Sequence, residues 1–370
     1  MDNTTVSTAA KTDPAAEKSG STADRKNKKR LPSRSGPHYR SFADRLRFIL
    51  MPFMCVLFFG LPTTPGNLLQ NICSFAPIAF FIISGFLVLR ESRDRSGRIL
   101  RTIMRSGIAF VVTAVVYFAI NFFYYKSAGY DAAAIFSDGK SWFNFLVMNV
   151  WQYQIGGGIW FVQSLFYAYI IIFVLEKFNL LRFDWIIFTV LIVISILGGE
   201  LCGVLKFDIF GYNYFPGNFL TRALPYILLG NFIHRKSDFF CSVPTKWYTI
   251  GAVAGAGLCV AEVYLLAVLE RQGYYGHLIG MPVIAVCAVM LAIKKDKRFS
   301  RLERALIPTS WCNNLIYYLA QPLAFALSLI IIRFKGTEIF EIFTAVEAAV
   351  TFLILYGVAL ICQKIKISRI

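Results

Sequence analysis

No short signature of metal or nucleotide chemistry runs through this sequence. HExxH, GxSxG and GxxxxGK[ST] are all missing, and no plausible loop gathers the carboxylates that a magnesium ion needs. Metal sites and nucleotide hydrolysis are therefore not expected. Histidine is scarce, with three in 370 residues. The eight cysteines stand singly, without a Cys-x-x-Cys pair, so they read as small core residues and not as a zinc or disulfide framework. Charge is scarce as well: 16% of residues are charged, and Asp plus Glu number 21 against 38 Lys plus Arg. A chain that is 57% hydrophobic with a mean hydropathy of +0.58 cannot be mostly a water-soluble globule.

What fills the sequence instead is a series of apolar runs, at 48–64, 70–89, 106–124, 160–175, 185–201, 219–233, 247–269, 277–293, 308–332 and 339–362. Roughly 20 apolar residues cross a bilayer as a helix, so these predict an all-α, polytopic membrane protein of about ten transmembrane helices. The runs are continuously apolar, whereas barrel strands alternate. The first is the weakest, being short and interrupted by Pro52. Lys and Arg concentrate in every second connection, which places those connections and both termini in the cytoplasm. The net charge of +17 thus follows the membrane, and no nucleic-acid partner is implied.

Residues 1–43 lack apolar periodicity and carry the basic run RKNKKRLPSR, so they are expected to form a disordered cytoplasmic tail near anionic inner-leaflet lipids. A nuclear signal or nucleic-acid arm is the alternative that the downstream spans oppose. No cleavable signal peptide is expected ahead of the first run. Residues 44–370 form the membrane domain. Its long external connection, 125–159, is rich in aromatics, which anchor at the bilayer interface and can also stack on sugars. Trp160, after Gly156–Gly158, has the same two readings.

The stretch FFIISGFLVLRESRDRSGRILR passes from an apolar run into arginines. Ser84 and Gly85 are small enough to admit a second backbone closely. Positive-inside anchoring alone accounts for the arginines. Arg98, Arg101 and Arg105 nonetheless fall at i, i+3 and i+7, on one face of a helix, where three guanidiniums suit a phosphate-rich cytosolic ligand.

Ionisable residues inside apolar runs are functional candidates because burying them is costly. Glu262, Arg222 and Glu347 all fall in the external half. Arg222 and Glu262 could form a buried ion pair or serve an acceptor site, and a desolvated Glu262 could act as a general base. Of the histidines, His38 lies in the tail and His234 at an inner helix end. His277 falls on the external side, as either an interfacial residue or a base.

Taken in order, FFIISGFLV with RxxR at 98–101, IWFVQSLFYAYII, RALPYILLGNFI and TSWCNNLIYYLAQPL resemble the landmarks of acyltransferase family 3. These are polytopic O-acyltransferases of bacterial surface polysaccharides, and the likeness runs from about Asp44 to the last crossings. It implies that cytosolic acyl-CoA, commonly acetyl-CoA, donates an acyl group to an external glycan hydroxyl. By the same resemblance, Arg47, Arg98 and Arg101, with Arg105 beside them, bind the donor. Two departures stand out. Phe58, between Leu57 and Phe59, occupies the neighbourhood of the family's first-helix histidine, and Gln321 replaces a second histidine. The base is then sought in Glu262 or His277.

The expected activity is O-acetylation of a cell-envelope glycan in a bacterial inner membrane, with Trp160 and Arg222 on the acceptor side. The alternatives are a non-catalytic relative within polysaccharide export or assembly, acting with other assembly proteins, and a secondary transporter that uses Arg222 and Glu262 as a binding pair.

Overall fold

The computed structural model describes residues 41–58, 64–90, 94–151, 153, 158–198, 218–268, 278–295, 300–331 and 338–365. These belong to one unit, Pro37–Ile370. The expected disordered tail lies outside the described residues except for Ser41–Ala43, which begin the first helix. Helices α1 (Ser41–Phe58), α2 (Thr64–Cys73), α3 (Phe75–Val88), α4 (Arg95–Ser127), α5 (Ala132–Ser137), α6 (Gly139–Leu146), α7 (Ile159–Lys177) and α8 (Asp184–Gly198) make up the first half. There follow α9 (Phe219–Arg222), α10 (Leu224–Arg235), α11 (Ser237–Ser242), α12 (Thr245–Val268), α13 (Gly280–Lys294), α14 (Arg301–Leu306), α15 (Ser310–Ile331) and α16 (Glu338–Lys364). No strand occurs among the described residues.

Each expected apolar run overlaps a helix. Among the described residues six helical stretches are long and apolar enough to cross a membrane: Leu69–Val88, Arg95–Ser127, Ile159–Lys177, Leu180–Leu197, Thr245–Leu266 and Val346–Lys364. Gly280–Lys294 and Ile316–Leu327 are apolar but shorter. The run at 219–233 is not one helix. Pro225 has no N–H to continue the ladder from α9, and the chain restarts as α10 with that proline in its first turn.

Helix α3 sits at the centre because it is apolar on every side. From Phe75 to Phe86 all of its residues except Ser84 are buried. It meets α10 backbone to backbone. A Cβ on Gly85 would collide with the Ile227 carbonyl oxygen, and one on Gly230 with the Ile82 carbonyl oxygen. Small residues that let backbones approach are the main device of helix packing in lipid, where no hydrophobic force separates helix from solvent. Helices α12 and α13 meet in the same way through Gly255 and Gly280.

The outer helices turn bulky apolar side chains away from the protein: Ile108, Val112 and Val115 on α4, Val190 and Val193 on α8, and Val253 and Leu265 on α12 are all exposed. A soluble protein hides such surface, and a lipid-facing one displays it. The α14 segment is pinned at its polar start by a reciprocal Ser300–Glu303 capping box, and the Glu303 carboxylate also receives two hydrogen bonds from Arg45 of α1, each 3.0 Å. That pairing, with the Ser300 backbone, holds the Glu303 carboxyl down to about 2.

Candidate active site

Helix α4 begins at Arg95, so Arg98, Arg101 and Arg105 do lie on one helix. Their side chains diverge in use. Arg98 turns back to the end of α3, where Nε donates to the Val88 carbonyl at 3.2 Å and Nη2 to that of Arg90. The last carbonyls of a helix lack partners within it, and a cation suits the negative end of its dipole. Arg101 instead pairs with Asp94, both well exposed, and Arg105 is exposed. The three guanidiniums thus do not act as one clamp on the bare helix face. The residue before them has a partner set that sequence spacing did not reveal. Arg95 reaches Glu176 of α7 at 3.6 Å and Asn231 of α10 at 3.4 Å. Asn231 donates to Asp184 at 2.6 Å, and Arg235 pairs with the other oxygen of that fully buried carboxylate.

Four helices line a partly open cavity of about 70 Å³. Arg47 and Met51 of α1 line it, with Phe80 and Ser84 of α3, Phe161 and Leu165 of α7, and Asn314, Tyr317 and Tyr318 of α15. Within α1, α3 and α7 the lining residues are four positions apart, one helical turn, so the cavity is about one turn deep. The Ser84 hydroxyl meets that of Tyr169 at 2.7 Å. Arg47 lies within electrostatic reach of Tyr169 and Tyr318. Against this polar group stands an aromatic wall in which Phe161 lies 5.9 Å from Phe80 and 4.8 Å from Tyr317, ring centre to ring centre.

The wall is tied to the start of α7. The Tyr317 hydroxyl donates to the Gly158 carbonyl at 2.6 Å, and the Gly158 N–H donates to Gln321 Oε1 at 2.8 Å. Gln321, which stands for a histidine in the resemblance drawn above, therefore helps to fasten α15 to the first turn of α7. Next to it, Trp160 receives the guanidinium of Arg222 over its ring at 4.6 Å, and Arg222 is buried. Asn149 holds this turn from the connecting loop through hydrogen bonds to the Trp160 carbonyl and the Ser164 hydroxyl. Its φ of 58° is in the left-handed region, which asparagine tolerates. The loop's aromatics mostly pack on one another around Phe118, which lies 4.8 Å from Trp142 and 4.9 Å from Trp151.

Trp160 and Arg222 are thus brought together, and Arg47 with Ser84. Arg222 and Glu262 do not form the ion pair considered from the sequence, because the Glu262 carboxylate accepts the Ile279 N–H at 3.1 Å just before α13. Glu347 is half-buried in α16. His277 and His38 lie outside the described residues, as does the side chain of Phe58, the last residue of α1. His234 packs edge-on to Phe86 at 4.9 Å. Among the described residues no group of three or more His, Cys, Asp and Glu side chains is arranged to hold a metal ion. Sequence reading missed Tyr169, Tyr317, Tyr318 and Asn314. Their one signal was the polar side chains within the apolar runs of α7 and α15.

Compared with known protein families, residues 38–362 match the model of a family described as an acyltransferase domain. No curated protein and no solved structure matches the chain.

Proposed function

The chain belongs to acyltransferase family 3, a general class of membrane acyltransferase, and from that premise we propose that it carries an acyl group from cytosolic acyl-CoA to a hydroxyl of a cell-envelope glycan across a bacterial inner membrane. Acetyl-CoA is the first donor to try. In the reaction the glycan oxygen attacks the thioester carbonyl, the carbon–sulfur bond breaks, and an ester carbon–oxygen bond forms. The hydroxyl proton ends on the departing CoA thiolate, so atoms and charge balance.

One observation carries this reading. Three of the sequence landmarks converge on a single cavity, namely FFIISGFLV through Phe80 and Ser84, IWFVQSLFYAYII through Phe161 and Leu165, and TSWCNNLIYYLAQPL through Asn314, Tyr317 and Tyr318, and Arg47 joins them. Arg98, Arg101 and Arg105 stand at the donor side, with Trp160 and Arg222 at the acceptor side. Glu262 and His277 are the candidates for the base. Anionic lipids lie near the basic tail, and polysaccharide-assembly proteins are the natural neighbours.

The test is transfer in proteoliposomes, with labelled acetyl-CoA on the Arg98 side and purified peptidoglycan or lipopolysaccharide on the other. Label in the glycan supports the reading. Failure with every acyl-CoA, in a protein that restores an envelope phenotype to a deletion strain, favours a non-catalytic relative. That second reading has its own support in Gln321, which is engaged with Gly158, and in the lack of histidine or carboxylate among the described residues lining the cavity. Full transfer by Glu262→Gln removes Glu262 from the candidates.

A further inference from the structure

We infer that helix α6 is a docking surface for lipid: Trp142, Phe143, Leu146 and Val147 seat among the acyl chains, just below the headgroups, of the leaflet at the far end of α4 from Arg98. The partner is the bilayer itself, and the inference holds whatever reaction the protein performs.

The first reason is the face that α6 presents. Its start is capped by Asp138, whose carboxylate accepts the Lys140 and Ser141 N–H groups at 3.2 and 3.1 Å. Asn144 and Phe145, on one side of the helix, are buried against the protein. The opposite side, which a water-soluble protein makes polar, carries Trp142, Phe143, Leu146 and Val147, all exposed, Phe143 by 51%. Positions i, i+1, i+4 and i+5 share one helical face. A contiguous apolar patch of this kind is a place of contact and not a surface for open water. Lys140 is exposed at its edge, where a long basic side chain reaches headgroup phosphates.

The second reason is the level at which α6 lies. The apolar run of α4 ends at Tyr124, and Phe118 falls six residues before that end, about 9 Å at the rise of a helix. The Trp142 ring stacks on Phe118 at 4.8 Å, and Phe136 of α5 lies 5.6 Å from Phe118 and 6.3 Å from Tyr125. The chain after α4 therefore doubles back alongside the last two turns of that helix and does not stand above them. Interfacial helices sink about 5–10 Å into the boundary between headgroups and acyl chains, which is the depth of α6. At the same height Val115, Phe122 and Phe123 of α4 are exposed, so the apolar face of α6 continues the surface that α4 turns to lipid. The Trp142 indole N–H donates to the Phe136 carbonyl at 2.7 Å, which lets the ring enter an apolar layer without an orphaned donor.

The third reason is that the face is held outward. The last carbonyls of a helix lack partners within it. Here the Leu146 carbonyl accepts from the Tyr167 hydroxyl of α7 at 2.6 Å, and the Phe145 carbonyl accepts from the Gln163 amide. The turn that follows is tied to α7 through Asn149 and the Trp160 carbonyl. Helix α6 is thus fastened by its buried side, and its apolar side faces away from the protein.

The experiment uses the full-length protein in nanodiscs of phosphatidylcholine, with tryptophan fluorescence as the readout and two quenchers: phosphatidylcholine brominated on its acyl chains close to the headgroup, and iodide in the water. Phe143→Trp adds a reporter at the most exposed of the four positions, and the difference from wild type isolates it from the six native tryptophans. Trp142→Phe gives a second, independent difference signal at the neighbouring position. In both cases the isolated signal is expected to lose most of its intensity in brominated lipid and little to iodide. Strong quenching by iodide with none by brominated lipid puts the face in water and overturns the inference. Protection from both quenchers means that protein covers the face, a second copy included, and overturns it as well. Neither result bears on the acyltransferase reading.

Discussion

The hydroxyls of Ser84 and Tyr169 lie 2.7 Å apart and join α3 to α7 beside the cavity. Tyr169 is fully buried, so water cannot replace a partner that is taken away. Hydrogen bonds between helices in lipid contribute about 0.6 kcal/mol on average and up to about 2. Tyr169→Phe and Ser84→Ala should each destabilise the protein by about 1 kcal/mol in detergent unfolding. The double variant should cost less than the sum of the two, because the second change removes a group already orphaned.

Gly85 and Gly230 face each other's helices so closely that neither tolerates a side chain. Gly85→Ala and Gly230→Ala should each cost about 1–3 kcal/mol or more, because the added methyl meets backbone and not a movable side chain. Gly257 and Gly357 provide the contrast, since a Cβ there meets nothing within 4 Å. Gly257→Ala and Gly357→Ala should be neutral or stabilising by up to about 1 kcal/mol through helix propensity. Midpoints of thermal unfolding for the four variants separate the two cases.

The Arg45–Glu303 pair predicts a pH dependence with a definite sign. Glu303 has its folded-state pKa lowered from 4.5 to about 2, chiefly by the Arg45 hydrogen bonds. A lowered carboxylate contributes its stability above its unfolded value and loses it as pH falls through the folded one. The stability difference between wild type and Glu303→Gln should therefore be constant above about pH 5, shrink between pH 4.5 and 2, and vanish below. Because Glu303 is exposed, the difference is small, and a protease-protection profile across that pH range is the suitable reading.

Arg98 and Arg101 belong to one sequence motif but should separate in the laboratory. Arg98→Ala removes two hydrogen bonds from the end of α3 and should lower stability by about 1.5–3 kcal/mol, the range for bonds to charged groups. Arg101→Ala breaks only an exposed pair with Asp94 and should leave stability within about 0.5 kcal/mol. If both serve the donor, Arg101→Ala raises the acyl-CoA KM in a protein of normal stability, and the KM series at two salt concentrations detects it.

How much of this was legible beforehand follows from the range of each interaction. The apolar runs mark helices because lipid demands continuous hydrophobicity, and each of the runs overlaps a helix of the structure. Ser84 and Gly85 announced a close approach because small side chains have few other uses on an apolar helix, and α10 makes that approach. The ordered landmarks pointed to the family that residues 38–362 match. The partners were another matter. The spacing of Arg98 and Arg101 fixed their helix but not the turn that brings the end of α3 within reach of Arg98. The links among Arg95, Glu176, Asp184, Asn231 and Arg235 join four separate helices, and no periodicity encodes them. Cavity residues such as Phe161 and Leu165 repeat at helical spacing as any core stripe does, so nothing local separates a wall from a filled interior.

Arg222 over Trp160 offers the sharpest probe of the proposed acceptor side. The guanidinium lies 4.6 Å from the ring centre and is buried, a geometry in which the attraction is worth about 0.5–2 kcal/mol. Lysine keeps the charge but not the flat, weakly hydrated fork that stacks on an indole. Arg222→Lys should therefore behave much like Arg222→Gln, each weakening the use of glycan by about 2- to 30-fold in kcat/KM. The KM for acyl-CoA should stay unchanged in both, since neither Trp160 nor Arg222 is among the residues that line the cavity with Arg47. Steady-state transfer with glycan and acyl-CoA varied independently makes the distinction, and a rise in the donor KM alone would move Arg222 to the other side of the reaction.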